Sequence, residues 1–362
     1  MLYKVSNRLD EKVASLSQER LFSTKIGIEI SNYVNEDKQI PTSGYIEVLK
    51  SAAKHMIEID PKFDEERLLT ILSLQERIDN ICKFDNELEF IMMNLYNNAR
   101  MFHLNDLADN PYFKNVKFEY SNSYVVENET YSPYELFMYD NSKRVKGTNI
   151  DMPCVGCFDC NVSYPVLKKD DKVIASVDPY VIKTMEEYIN KAHGDVLVYG
   201  LKMGYFIYMA SLKEEVKSIT VVEDDSELVD FFVKNKVFNE KVKFSDSNEY
   251  DYCLVDKWND FLDIEGYFKM KEKLKDKCDY YLESAIVNHL MGYVFIEIMD
   301  AFYKAKEMKV PNYASEPGYL YRDHKYISEL LKNAKLSKEE NIDYYMNPDT
   351  IIKLINKSDI IF

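Results

Sequence analysis

Two groups of residues in this chain have the types and spacing to do chemistry. In the first, Gly200 and Gly204 bracket Leu201, Lys202 and Met203, and Glu223 with Asp224 follows about 20 residues later. Glycine lets a turn take positive φ and lets the backbone approach a ligand with no Cβ in the way. A carboxylate at that distance can accept hydrogen bonds from both hydroxyls of a ribose, so the combination suggests a nucleoside ligand. Asp246 and Asp256 continue this acidic series along the chain. The second group is Cys154, Cys157 and Cys160, spaced C-x-x-C-x-x-C. Thiolates so spaced can converge on one metal, as in iron–sulfur sites. A closed site needs a fourth ligand, and two of the remaining cysteines read as buried in or beside sheet strands. The expectation is therefore no metal, only three partly buried thiols in a turn containing Gly156.

The elements that must position the first group follow a regular rhythm. Val196, Leu197 and Val198 form the apolar run of a parallel strand covered on both faces. Tyr205, Phe206, Tyr208, Met209 and Leu212 mark a helix, and residues 219–222 a second strand that delivers Glu223 to its carboxyl end, completing a βαβ unit. Ser226 caps a helix through Phe238, with Glu227 favouring its N-terminal end. Residues 242–244 make a third strand ending in Ser245 and Asp246, residues 252–255 a fourth ending at Asp256, and residues 279–285 a fifth. Each polar candidate thus sits at a strand's carboxyl end, where open parallel sheets bind ligands.

These segments resemble class I S-adenosylmethionine-dependent methyltransferases. VLVYGLKMGYF looks like the family's first motif, VVEDD like its acidic ribose motif, FSDS like its adenine-side motif and CLVDKW like its fourth-strand motif, over roughly residues 178–285. The resemblance implies an α/β fold, a Rossmann-like, mostly parallel sheet flanked by helices, with S-adenosyl-L-methionine as cofactor. It places Gly200, Leu201 and Gly204 in the loop beside the methionine part of the cofactor. Glu223 with Asp224 falls at the ribose, and Asp246 with Ser247 at the adenine. It implies methyl transfer to a small-molecule substrate, with Asp256, Tyr131 and Tyr134 the first residues to examine for catalysis. The sequence departs from the family in two places: Lys202 stands where the loop's middle glycine is usual, and the fourth strand lacks Asn/Asp-Pro-Pro-Tyr/Phe. Two alternatives stay open. Aminopropyl transfer uses the same fold and ribose-binding glutamate, although the D-x-x-D motif is absent, and a scaffold that binds the cofactor without turnover also fits. A dinucleotide-dependent oxidoreductase ranks last, because Lys202 replaces the glycine that admits a pyrophosphate.

A length of 362 residues allows two domains, and 46% hydrophobic residues suffice for sizeable cores. The net charge of -16 disfavours a nucleic-acid partner, since Lys143, Arg144 and Lys146 make too small a basic patch to offset it. The start, MLYKVSNRLDEKV, has no apolar signal region, and no apolar run is long enough to span a bilayer. With six cysteines, the expectation is a soluble cytoplasmic chain with no membrane contact, for which a homodimer is open. Residues 1–110 read as a helical domain, from apolar spacing such as Leu68, Ile71, Leu72, Ile78 and Ile81. Residues 111–163 read as a small β-rich linking segment, with strands at 116–120, 124–126 and 135–139. Asp178 before Pro179 starts a helix that stops at Gly194. Residues 164–362 form the sheet domain with a helical C-terminal part. Since every nucleoside-binding candidate lies after Gly194, a fragment from about Tyr164 is expected to bind the cofactor alone.

Overall fold

The computed structural model describes residues 7–35, 41–245 and 250–257, with shorter stretches between 266 and 353. The chain forms two compact units, one of residues Glu19–Asp246, the other of Met1–Gln18 with Ser247–Phe362.

The first unit opens with helices α1 (Asn7–Asn35, from Glu19 onward), α2 (Ser43–Ile59), α3 (Glu65–Leu72), α4 (Gln75–Asp79) and α5 (Asp85–Asn98). Thr42 accepts from the Tyr45 N–H and Asp64 from the Arg67 N–H, so α2 and α3 begin at side chains that satisfy an otherwise orphaned donor. A short strand, β1 (Arg100–Phe102), interrupts the region expected to be wholly helical, and α6 (Leu104–Ala108) and α7 (Pro111–Asn115) follow. Five strands come next: β2 (Tyr124–Tyr131), β3 (Phe137–Arg144), β4 (Asp151–Phe158), β5 (Val162–Lys169) and β6 (Lys172–Ser176). Then come α8 (Pro179–Lys191), β7 (Gly194–Tyr199), α9 (Tyr205–Ser211), β8 (Val216–Val222), α10 (Ser226–Lys234) and β9 (Val242–Phe244).

The expectation of one mostly parallel, Rossmann-like sheet is overturned. The order β1-β4-β3 makes a mixed sheet, with β1 parallel and β3 antiparallel to β4. The order β2-β5-β6 is antiparallel throughout. Within this unit only β7, β8 and β9 form a sheet that is parallel throughout; the one other parallel pair is β1 with β4. The reason lies in the connections. Antiparallel neighbours can be joined by tight hairpins, whereas parallel ones need a crossover, usually a helix. Between β5 and β6 the chain turns in two residues, Asp170 (φ 50°) and Asp171 (φ 62°), with Lys169 paired to Lys172. Positive φ at both central residues is the hairpin turn that matches strand twist. Residues 116–120, expected as a strand, are irregular: Phe118 stacks on Phe231 of α10, 5.6 Å between centroids.

The mixed sheet separates two cores. On one face α1–α5 supply Ile26, Leu49, Leu68, Ile78 and Ile91 against Val155 and Cys157. On the other, Phe102, Phe137, Cys154 and Phe158 meet Val162, Tyr164 and Val166 of β5. This corrects the expected turn around Gly156. Cys154 and Cys157 belong to a strand whose last seven residues are buried, and they face opposite cores because side chains alternate along it. Burial pushes the Cys154 thiol up to about 11 and the Cys157 thiol up to about 12. A Cβ on Gly156 would lie 2.8 Å from Phe102 and 2.9 Å from Phe137, so the rings overhead explain the glycine.

The helix predicted from Asp178 is α8, with Asp178 accepting from the Val181 N–H and Pro179 at its first turn. Its C-terminal carbonyls are gathered by one ammonium: Lys213 Nζ donates to the oxygens of Ile189, Asn190 and Ala192 at 2.7–2.8 Å. In the other unit, β10 (Tyr252–Val255) is buried and pairs in parallel with β11 (Asp279–Tyr280), and α11 spans Glu339–Tyr345. Lys12 forms an ion pair with Asp343 there. Among the described residues no helix is long and apolar enough to cross a membrane.

Candidate functional site

The glycine loop leaves the carboxyl end of β7. Val196, Leu197 and Val198 are buried, and the Gly200 N–H still reaches the Val222 carbonyl at 3.0 Å, so the ladder with β8 extends to the loop's first residue. The chain then closes a turn in which the Gly204 N–H donates to the Leu201 carbonyl at 2.7 Å. Gly204 has φ 68°, and a Cβ there would lie 2.7 Å from Phe238 and 3.0 Å from Phe232. It therefore satisfies two separate demands, left-handed backbone and close packing. Lys202, at the position where the middle glycine is usual in the family that the sequence resembles, also takes a left-handed conformation, φ 44°. The loop has a backbone shape that favours glycine while carrying a lysine.

Glu223 follows directly after β8 and holds this loop. Its Oε2 accepts from the Leu201 N–H and its Oε1 from the Asp225 N–H, both at 3.0 Å. A carboxylate offers about four lone-pair positions, so one on each oxygen remains for further donors. Asp224 is exposed. Asp225, the last residue of VVEDD and one to which the sequence reading gave no role of its own, caps α10 by accepting from the N–H groups of Glu227 and Leu228 at 3.0 and 3.1 Å. The expected cap, Ser226, is instead the first helical residue. Asp225 Oδ2 also accepts from Lys169 Nζ at 2.9 Å and from the Tyr124 hydroxyl at 2.7 Å. The lysine first and the tyrosine second hold its carboxyl down to about 2.

A second support comes from α7. The Tyr112 hydroxyl donates to the Met203 carbonyl at 2.6 Å, and its ring meets Tyr205 and Tyr208 edge-on at 5.4 and 5.6 Å. Burial pushes the Tyr112 hydroxyl far above the usual phenol range, so it stays a donor. Asn110 donates to the Tyr205 hydroxyl at 2.8 Å. Sequence reading missed these residues; Asn110 before Pro111 is the one local signal, a cap followed by a first-turn proline.

The structure thus brings Gly200, Leu201, Gly204 and Glu223 together, with Asp224 beside them. Asp246 and Ser247 lie outside the described residues. Asp256 follows β10 in the other unit and is half-buried. Tyr131 is far from free chemistry: its ring packs on Phe137, Phe158 and Tyr164 in the aromatic core, and burial drives its hydroxyl strongly up. Tyr134 sits at φ 61°, its N–H donating to the Phe158 carbonyl at 2.7 Å. Among the described residues no group of three or more His, Cys, Asp and Glu side chains is placed to hold a metal ion.

No family model matches the chain, and no curated protein and no solved structure matches it. The residues themselves carry the functional reading.

Proposed function

We propose that the chain binds S-adenosyl-L-methionine at the glycine loop and transfers its methyl group to a small molecule. One observation carries this reading. The loop between β7 and α9 is tied through the Leu201 N–H to a glutamate at the carboxyl end of β8, and that glutamate keeps an acceptor position on each oxygen. Two adjacent hydroxyls of a ribose are donors of the matching number. Gly200, Leu201 and Gly204 would shape the loop against the ligand, and Glu223, with Asp224 beside it, would hold the sugar. The bound cofactor supplies an electrophilic methyl on a sulfonium, and the chain's part is to orient it and exclude water.

The test is calorimetry and thermal unfolding with S-adenosylmethionine, its demethylated product and NAD. A ligand bound only by the native state adds RT ln(1 + [L]/Kd), about 2.7 kcal/mol at 100 times Kd. Glu223→Ala should weaken binding by roughly 1.5–3 kcal/mol per charge-assisted hydrogen bond lost. Stabilisation by NAD but not by S-adenosylmethionine would overturn the assignment. Binding with no turnover on any acceptor would leave the scaffold reading, and turnover only with the decarboxylated cofactor would favour aminopropyl transfer.

A further inference from the structure

Three conformational features of the glycine loop need explaining together. Lys202 at φ 44° and Gly204 at φ 68° occupy left-handed backbone, and the intervening residue, Met203, is buried. A lysine there is strained, and such a conformation persists only where the surroundings over-determine it. Glu223 fixes the Leu201 N–H, and the peptide between Met203 and Gly204 is held at its N–H, which donates to the Leu201 carbonyl, so its own carbonyl is the end left to be held from outside the loop. That peptide is gripped by Tyr112, whose hydroxyl meets the Met203 carbonyl at 2.6 Å with 1% of the residue exposed.

We infer that Tyr112 is a positioning residue for the nucleoside-binding loop, so that α7, more than 80 residues before the loop and outside the βαβ unit, sets the loop's binding geometry. This deepens the proposed function and rests on it. Removing the hydroxyl takes from the Met203 carbonyl the donor that Tyr112 supplies in a buried place, and an orphaned buried acceptor is relieved by moving the backbone that carries it. Rotation of that peptide changes φ at Gly204, the residue on which α9 begins, and shifts the Leu201 N–H that Glu223 holds. The ring packing on Tyr205 and Tyr208 keeps α7 in place without the hydroxyl, so Tyr112→Phe changes the loop and not the layer behind it.

The experiment uses the full chain with Tyr112→Phe and, as a control, Tyr139→Phe, which removes a comparable hydroxyl-to-carbonyl bond (to Asn98, 3.1 Å) elsewhere in the same unit. Two quantities are read: the dissociation constant for S-adenosylmethionine, and the amide resonance of Gly204 in protein labelled with ¹⁵N-glycine, whose ten glycines give a countable spectrum. That resonance reports on the carbonyl immediately before it. Tyr112→Phe should weaken binding at least about fivefold and move the Gly204 signal, while Tyr139→Phe leaves both as in the wild type. Equal effects from the two variants, or a Gly204 signal that does not move, would overturn the inference. If the wild type binds no nucleoside, the proposed function fails, and the grip of Tyr112 on the loop is then decided by the Gly204 resonance alone.

Discussion

The two motifs that advertise chemistry in this sequence end in opposite physical circumstances. Cys154 and Cys157 of the cysteine triplet lie on the central strand of the mixed sheet, at 0% exposure and facing different cores, and Cys160 follows that strand. The glycine loop lies at the end of a parallel strand, with left-handed backbone and hydrogen bonds converging on it from β8 and α7. Regular spacing along a strand disperses side chains to two faces, whereas spacing across a turn gathers backbone donors on one side. Close spacing along the chain can therefore mean two buried faces in one place and a gathered turn in another.

That contrast can be broken experimentally. The largest expected effect is on thiol reactivity: in native protein, Cys160 should alkylate about 10³-fold faster than Cys154 or Cys157, which become accessible only through opening of the core. Mass-spectrometric mapping that found similar rates would remove β4 from the interior. Next come the two crowded glycines. Gly204→Ala should destabilise by about 2–4 kcal/mol in urea titration, because a strained φ adds to overpacking against Phe238. Gly156→Ala, which meets the rings of Phe102 and Phe137 without a conformational demand, should cost about 1–3 kcal/mol.

Acidity separates the regions in a different direction. Asp225 has its carboxyl held down to about 2, below the ordinary value of about 3.9, so its pairing with Lys169 stabilises the fold at neutral pH. That contribution is lost as pH falls from about 4 toward 2, and Asp225→Asn should flatten the stability curve across this window. His103, after β1, lies 3.3 Å from Asp159 and 3.4 Å from Glu66, and the Asp159 hydrogen bond, aided by the charges of Glu66, Asp159 and Asp106, raises its basicity. Its contribution is complete below about pH 6.5 and fades as pH rises through the raised value, so His103→Gln should remove drift on the alkaline side only. The smallest effect belongs to Lys202→Gly: relief of about 1 kcal/mol of backbone strain is offset by about 0.4–1 kcal/mol of unfolded-chain entropy, leaving stability nearly unchanged.

The rhythm from β7 to β9 was legible because it is written locally: apolar runs of strand length, glycines at a turn, a helical apolar face, and then the next strand. Asp178 and Pro179 likewise announced α8. The layers before it were harder to read. The strand β4 is buried on both faces and contains glycine and cysteine, so it lacks the alternation that marks a half-buried strand, and its pairing with β3 shifts register twice. Residues 116–120 show an extended, aromatic pattern that resembles a strand, yet they are held by Asn235, whose Oδ1 accepts from the N–H groups of Glu119 and Tyr120.

The sequence by itself determined the glycine loop, the glutamate that follows β8 and the βαβ order between them, because each depends on residues within a few turns of one another. Tertiary structure alone decided that the rest of this unit is mixed and antiparallel, that Cys154 and Cys157 face apart, and that Tyr112, Tyr124 and Lys169 serve the loop and the acidic end of β8. Those contacts join residues about as far apart as 112 and 203 or 169 and 225. Hydrogen bonds of that kind leave no periodic trace in a sequence, since a tyrosine that packs and a tyrosine that also holds a distant carbonyl are the same letter.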